Sequence, residues 1–299
     1  MKAKTKSSLV DDWFLVSQLE GKDPKTIERY KNIVLPFFDL VQKDPLEVAA
    51  ADIRRYFGHL AERSYSRVTI SIAYKNLHVF FEFLRKEGHR ADNPLKLVSK
   101  PKVPQIFPKI ITEDEARALL AAAKRHNDKF IKRRNFAMLC LLFDSGLRAS
   151  ELTGLKLTDV SLENQVVKVY GKGAKERIVP FSPDTGKALI NYLKVRGRLP
   201  FEESFFVTRN ADRLDRHRLY KIIKELAVLT GVDPKRVSPH VLRHTFATTW
   251  IRAGGDGKKL QQMMGHADGR VVDCYIHLTG IDLKEAHNRY SPLRRLNNH

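Results

Sequence analysis

The stretch Ser238-Pro-His-Val-Leu-Arg-His244 predicts the start of a helix with an anion site. Serine is a favoured N-cap residue and proline is favoured at the first helical position, so His240 is expected in the first turn. Arg243 and His244 follow one turn later, on nearby faces. A helix N-terminus attracts phosphate, and an arginine fork binds two phosphate oxygens at once. Capping of local carbonyls by these side chains is the alternative for this stretch alone.

A second arginine lies upstream, in Gly146-Leu-Arg-Ala-Ser-Glu-Leu152. If this segment is helical, the spacing places the carboxylate of Glu151 beside the guanidinium of Arg148 and directs it. An ordinary surface ion pair is the alternative.

A glycine-bearing loop, Gly171-Lys-Gly-Ala-Lys-Glu176, separates two runs typical of strands, residues 166–170 and 177–181. The pattern predicts a β-hairpin with Lys172 near its tip. A lysine there can give a proton to a leaving oxygen if burial or neighbouring cations lower its pKa. The alternative is a solvated turn.

Near the carboxyl end, Gly265-His266 ends a helical run and Tyr275 follows nine residues later. Tyrosine is a weak nucleophile at its free pKa of about 10, and it needs cationic neighbours or a base to attack phosphorus. A capping histidine and a packing tyrosine are the alternatives, and Tyr290 is the rival nucleophile.

Taken in order and spacing, these four motifs resemble the tyrosine recombinase (phage integrase) family, most closely its simple Xer-type members. The resemblance implies a site-specific DNA recombinase that cuts and rejoins DNA through a 3′-phosphotyrosyl intermediate. Its expected roles are chromosome dimer resolution or the integration and excision of mobile elements. The resemblance implies no metal or other cofactor, because the covalent bond retains the energy of the broken DNA linkage.

The resemblance also implies roles for individual side chains. The catalytic positions match Arg148, Lys172, His240, Arg243, His266 and Tyr275. The two arginines and His266 match groups that bind the scissile phosphate, and His240 matches a group for proton transfer or phosphate binding. Tyr275 matches the nucleophile, Lys172 the donor of a proton to the leaving 5′ oxygen, and Glu151 the acidic support.

The fold class predicted is mainly α with a small β-sheet. Residues 1–98 carry four segments with apolar residues at helical spacing, which predicts a helical core-binding domain with its fourth helix at the centre and a kink at Pro36. Residues 99–109 contain three prolines and predict a linker. Residues 110–299 are expected to form a mixed α/β catalytic domain, and the resemblance implies that both domains form a C-shaped clamp around DNA.

Local signals predict elements inside the second domain. Thr112-Glu-Asp-Glu115 has the form of a capping box ahead of an apolar run. The apolar stretch 135–143 predicts a helix that stops at Ser145-Gly146. From Arg216 onward the pattern is again helical.

The charge of the chain favours a polyanionic partner. The 299 residues include 54 Lys+Arg against 34 Asp+Glu, a formal net charge of +20. Residues 1–100 hold 18 basic and 13 acidic residues, so most of the excess lies in the remainder. We therefore expect double-stranded DNA as the partner. The expected DNA-contact residues, for which solvated surface charge is the alternative, are Arg67, Lys75, Lys175, Arg177, Arg216, Arg218 and Lys221.

Composition also bears on location and assembly. Only two cysteines occur, and no apolar stretch is long enough to span a bilayer or to form a signal peptide, so we expect a cytoplasmic, nucleoid-associated protein without membrane contact. The first apolar stripe starts close to Met1, so no arm-binding domain is expected before it. By analogy with the family, segment 281–287 docks on a neighbouring subunit of a tetramer bound to two DNA sites; packing on its own chain is the alternative.

Two other functions fit the same residues. A type IB topoisomerase uses similar chemistry to relax supercoils without pairing sites. A non-catalytic protein that keeps the fold would only bind DNA. Clustered carboxylates, which a two-metal nuclease needs, are not evident in the sequence.

Overall fold

The computed structural model describes residues 6–104, 108–171, 176–197, 203–265 and 287. The chain divides into two compact units, Met1–Ile106 and Phe107–His299, and each unit has its own hydrophobic core. Most elements are helices and one small sheet is present, which confirms the predicted fold class. Within the described ranges, no helix is both long and apolar enough to cross a membrane.

The first unit consists of four helices and a short 3-10 turn in its described part. The helices are α1 (Lys6–Leu19), α2 (Pro24–Val41), α3 (Ala50–Glu62) and α4 (Arg67–Lys86). Each predicted apolar stripe falls on one of them. Side-chain caps begin two of the helices, since Asp23 accepts from the backbone of Lys25 and Ser66 accepts from that of Thr69. Pro36 lies inside α2 without ending it.

Aromatic rings fill the core of this unit. Trp13 of α1 stacks on Tyr30 of α2 with the ring centroids 4.5 Å apart, and it meets Phe80 of α4 edge-on. Phe80 and Phe81 are fully buried. Such tilted and edge-on contacts suit the charge distribution of aromatic rings. The central position predicted for the fourth helix is therefore confirmed.

The second unit is built around a buried central helix. Its helices are α5 (Glu113–Ala123), α6 (Lys129–Ser145), α7 (Ala149–Gly154), α8 (Pro183–Arg196), α9 (Arg216–Leu229), α10 (Pro239–Arg252) and α11 (Gly257–Met264). The capping box at Thr112 is confirmed. The predicted stop of α6 is also confirmed, because Gly146 adopts a left-handed conformation with φ of 59°. Helix α6 packs against α5, α8 and α10.

A three-stranded antiparallel sheet completes this unit. Its strands are β1 (Val160–Ser161), β2 (Val166–Tyr170) and β3 (Glu176–Pro180), in the order β1-β2-β3. Val167 pairs with Val179, and both side chains are buried in the core. The predicted pairing of β2 with β3 is confirmed, with β3 starting one residue earlier than expected. Strand β1 was not predicted, because a two-residue strand has no periodicity to detect.

Candidate active site

The N-terminus of α10 has the predicted local structure. Ser238 is the N-cap and its side chain accepts a hydrogen bond from the backbone N–H of Val241, 3.3 Å away. His240 therefore lies in the first turn. Its Nε2 is 2.9 Å from Nε2 of His244, one turn later. One ring must donate and the other accept, so the hydrogen bond requires at least one neutral imidazole.

Arg243 points into the protein from the same helix. Its side chain is 3% exposed. Nη1 donates to the carbonyl oxygen of Gly146 and Nη2 donates to that of Met264, both at 2.6 Å. These carbonyls lie at the C-terminal ends of α6 and α11, where the helix dipole favours a cation. Arg243 thus joins three helices at one point.

Arg148 is the N-cap of α7 and approaches the same place from another direction. Its Nη1 donates to Oε1 of Glu151 at 2.8 Å, and its backbone N–H donates to Oε2 at 2.8 Å. Its Nη2 donates to the carbonyl oxygen of Gly265 at 3.2 Å. The predicted contact between Arg148 and Glu151 is confirmed. An ordinary surface pair is excluded, because the carboxylate of Glu151 is only 4% exposed.

Three arginines surround the carboxylate of Glu151. Arg177 of β3 binds both oxygens, with Nη1 2.8 Å from Oε1 and Nη2 2.9 Å from Oε2. Arg148 contributes the contacts described above, and Nη1 of Arg243 lies 4.0 Å from Oε2. Burial raises the pKa of Glu151, but hydrogen bonds from Arg177 and Arg148 outweigh it and lower that pKa to about 2. One carboxylate among three guanidinium groups leaves an excess of positive charge.

The two histidines beside this cluster are held in the neutral form. Removal of water from the ring, together with the charges of Arg243 and Arg148, lowers the pKa of His240 below its usual 6.5. Burial, His240 and Arg243 lower the pKa of His244 to about 4. A neutral His240 can accept a proton or donate a hydrogen bond to an anion.

The DNA-contact residues predicted from the sequence are distributed between the two units. Arg67 and Lys75 are exposed on α4, and the exposed cations on the first two turns of α9 are Arg216, Arg218 and Lys221. Arg177 is placed differently: its side chain is 11% exposed, and its Nε donates to the carbonyl oxygen of Met263 at 2.7 Å.

Several residues predicted from the sequence lie outside the described ranges. They are Lys172, Lys175, His266, Tyr275, its rival Tyr290 and residues 281–286 of the expected docking segment.

For two residues of this cluster, the sequence did not predict the position that the structure shows: His244 had no role of its own, and Arg177 was expected to contact DNA. His244 was predicted only to lie in the first turns of this helix, although its separation of four residues from His240 could have predicted their contact on one helix face. The inward direction of Arg177 carries no such signal, since its partner Glu151 is 26 residues away in the chain.

Family models match both parts of the chain. The phage integrase family model matches residues 109–280. The model of the N-terminal SAM-like domain of phage integrases matches residues 9–88.

Relatives and solved structures agree with these matches. The chain is 33% identical to tyrosine recombinase XerC of Thermodesulfovibrio yellowstonii, over 92% of this chain and 93% of that protein. It is 34% identical to tyrosine recombinase XerD of Yersinia pestis, over 83% and 84% of the two chains. A crystal structure of XerA recombinase matches with a TM-score of 0.54 at 33% identity and covers 96% of this chain and 99% of that chain. The Tn1549 transposon integrase, solved with a circular intermediate DNA, shares the fold with a TM-score of 0.74 at 19% identity, over 98% and 100% of the two chains. The chain belongs to the phage integrase family of tyrosine recombinases.

Proposed function

We propose that the protein is a site-specific recombinase that cuts and rejoins double-stranded DNA through a 3′-phosphotyrosyl intermediate. The observation that carries this proposal is the convergence of Arg148 and Arg243 on one buried carboxylate, with the neutral His240 beside them. Relatives that align over most of the chain are named tyrosine recombinases, which supports the same function.

The chemistry follows from where charge develops. The phenolic oxygen of Tyr275 attacks phosphorus, the bond from phosphorus to the 5′ oxygen breaks, and a 3′-phosphotyrosyl bond forms. Negative charge gathers on the non-bridging oxygens, where Arg148 and Arg243 stabilise it together with His266. The phenol proton passes to His240, and Lys172 protonates the 5′ oxygen as it leaves. Rejoining runs the same steps in reverse.

The decisive experiment captures the covalent intermediate. The probe is a pool of nicked duplex fragments made from the genome that encodes the protein. When cleavage occurs close to a nick, the short strand that carries the freed 5′ hydroxyl diffuses away, so rejoining cannot occur and the covalent intermediate accumulates. We expect a detergent-resistant adduct whose peptide maps to Tyr275. Tyr275→Phe should form no adduct and still bind the captured fragments. Tyr290→Phe is the matched control, with adduct formation unchanged.

An adduct that maps to Tyr290, or an adduct formed by Tyr275→Phe, would overturn the proposed nucleophile. Absence of any adduct from the wild-type protein would overturn the recombinase function itself.

We infer that the working assembly is a tetramer on two DNA sites, with exchange of segment 281–287 between subunits, and that the DNA substrate places the protein at the nucleoid. Relatives whose structures were solved on DNA support the DNA partner. A plasmid carrying two captured sites should be recombined. Relaxation without recombination would instead indicate a topoisomerase.

A further inference from the structure

Arg177 occupies an unusual position for a residue that the sequence predicted to contact DNA. It lies on β3, yet its side chain turns inward and is 11% exposed. Its two Nη atoms bind the two oxygens of Glu151 at 2.8 and 2.9 Å, and its Nε donates to the carbonyl oxygen of Met263 at 2.7 Å. This forked geometry matches a carboxylate in a way that lysine cannot reproduce.

The contacts of Arg177 connect three parts of the chain that carry proposed catalytic groups. Glu151 holds the side chain of Arg148. Lys172 lies four residues before the start of β3 in the chain, and Met263 precedes His266 by three residues. A single guanidinium therefore ties the hairpin and the end of α11 to the carboxylate that directs Arg148.

The backbone at the C-terminal end of α11 lies close to the side chain of Arg177. Gly265 has φ of 61°, and a Cβ atom added there would lie 3.0 Å from Nη1 of Arg177 and 3.1 Å from its Cδ. Glycine thus permits both the left-handed turn and the close approach of the guanidinium. The same glycine offers its carbonyl oxygen to Arg148.

The negative charge of Glu151 explains why a third arginine is useful at this position. Glu151 is buried, and Arg148 and Arg243 lie at 2.8 and 4.0 Å from its oxygens. An uncompensated carboxylate there competes with a phosphate for both arginines, because Coulomb interactions are strong where water is excluded. The fork of Arg177 occupies both carboxylate oxygens and supplies a balancing charge.

We propose that Arg177 is a positioning residue for the recombinase reaction: it neutralises Glu151 so that this carboxylate does not draw Arg148 and Arg243 away from the scissile phosphate, and it fixes strand β3 against the end of α11. This inference rests on the proposed function. It assigns Arg177 to the support of the site, in place of a direct DNA contact.

The test compares single and double variants on fragments captured by the wild-type protein. Arg177→Met should slow single-turnover cleavage on the order of a hundredfold, as expected for misplaced donors to the transition state, while the dissociation constant for DNA changes much less. The cleavage rate of Arg177→Lys should fall between those of the wild-type protein and Arg177→Met, because lysine keeps the positive charge but cannot bind both carboxylate oxygens as the guanidinium does. Lys168→Gln, which breaks an exposed ion pair with Glu176 on the same hairpin, is the control and should cleave normally.

A double variant separates positioning from general structural support. If Arg177 acts by balancing Glu151, then Arg177→Met combined with Glu151→Gln should cleave roughly tenfold faster than Arg177→Met alone, since contacting residues couple strongly. A merely structural role predicts that the second change leaves the rate the same or lowers it further. Thermal unfolding of each variant identifies any that fail to fold.

The inference is overturned if Arg177→Met cleaves at the wild-type rate, or if the double variant is no faster than the single one. In either case the wild-type protein still forms its adduct, so the proposed function survives. A wild-type protein that forms no covalent adduct is a separate result, and it would overturn both the proposed function and the inference about Arg177.

Discussion

Arg148 and Arg243 reach the same carboxylate but differ in burial, so their alanine variants separate chemistry from folding. The side chain of Arg148 is 37% exposed, whereas that of Arg243 is 3% exposed and satisfies two buried carbonyls. Each variant should lower the cleavage rate on the order of a hundredfold or more, through loss of a donor to the transition state.

Arg243→Ala should also lower the free energy of unfolding, by about 1–3 kcal/mol for each carbonyl left without a partner. Arg148→Ala should lower it less, because its contact with Glu151 is partly exposed to water and Arg177 still binds that carboxylate. Single-turnover cleavage and urea unfolding measure the two effects. An Arg148→Ala protein that cleaves at the wild-type rate would refute its role.

The histidine pair on α10 should make stability depend on pH. The pKa of His244 falls from 6.5 to about 4 in the folded protein, so below pH 6.5 the unfolded chain binds more protons than the folded one. The free energy of unfolding should therefore decrease as the pH drops from 6.5 to about 4. The stabilisation from Glu151, whose pKa is lowered from 4.5 to about 2, is lost as the pH falls between those two values.

His244→Gln should flatten the upper part of this profile in urea unfolding measured at several pH values. His217→Gln, on an exposed face of α9, controls for the loss of a histidine. An unchanged slope in His244→Gln would contradict the assignment.

The junction between α6 and α10 depends on one glycine. Gly146 ends α6 with φ of 59°, and an added Cβ would overlap the ring of Phe246 on α10. Gly146→Ala should destabilise the protein by more than the roughly 1–2 kcal/mol of left-handed strain, because Phe246 must also move. Cleavage should fall too, since Phe246 and Arg243 share α10.

Gly231→Ala, just after the end of α9, is the matched control for Gly146→Ala. Its φ is 74°, and nothing lies within 4 Å of an added Cβ, so it suffers the backbone strain alone. Thermal unfolding and cleavage assays compare the two variants. Equal losses of stability in both would show that contact with Phe246 contributes nothing.

The charge of the whole molecule governs its encounter with DNA. A formal net charge of +20 predicts binding that weakens steeply with salt, because each neutralised phosphate releases counterions. Neutralising Arg216, Arg218 and Lys221 of α9 together should make the slope of log K against log salt shallower, by about 0.9 for each phosphate that these side chains no longer neutralise.

Fluorescence anisotropy over a range of salt concentrations measures this slope. The paired change Lys187→Gln and Lys194→Gln, on the exposed side of α8, is the control. A salt response that is flat in the wild-type protein would remove the electrostatic argument for DNA binding.

Local signals in the sequence were enough to predict most elements. The caps at Thr112 and Ser238, the stop at Gly146 and the pairing of β2 with β3 all depend on residues close together in the chain. Helix α8 was not predicted, although its cap Ser182 and first residue Pro183 form a standard start signal. The contact of Arg148 with Glu151 was predicted because it spans three residues of one short helix.

By itself, the sequence determined the fold class, the family and the order of the motifs, because capping, periodicity and turn chemistry act over a few residues. The tertiary structure alone decided where the cations point. Arg243 meets Gly146 across 97 residues, and Arg177 meets Glu151 across 26. The physical reason is that a buried charge must be paired, and its partners come from distant parts of the chain that are adjacent only once the elements have packed together.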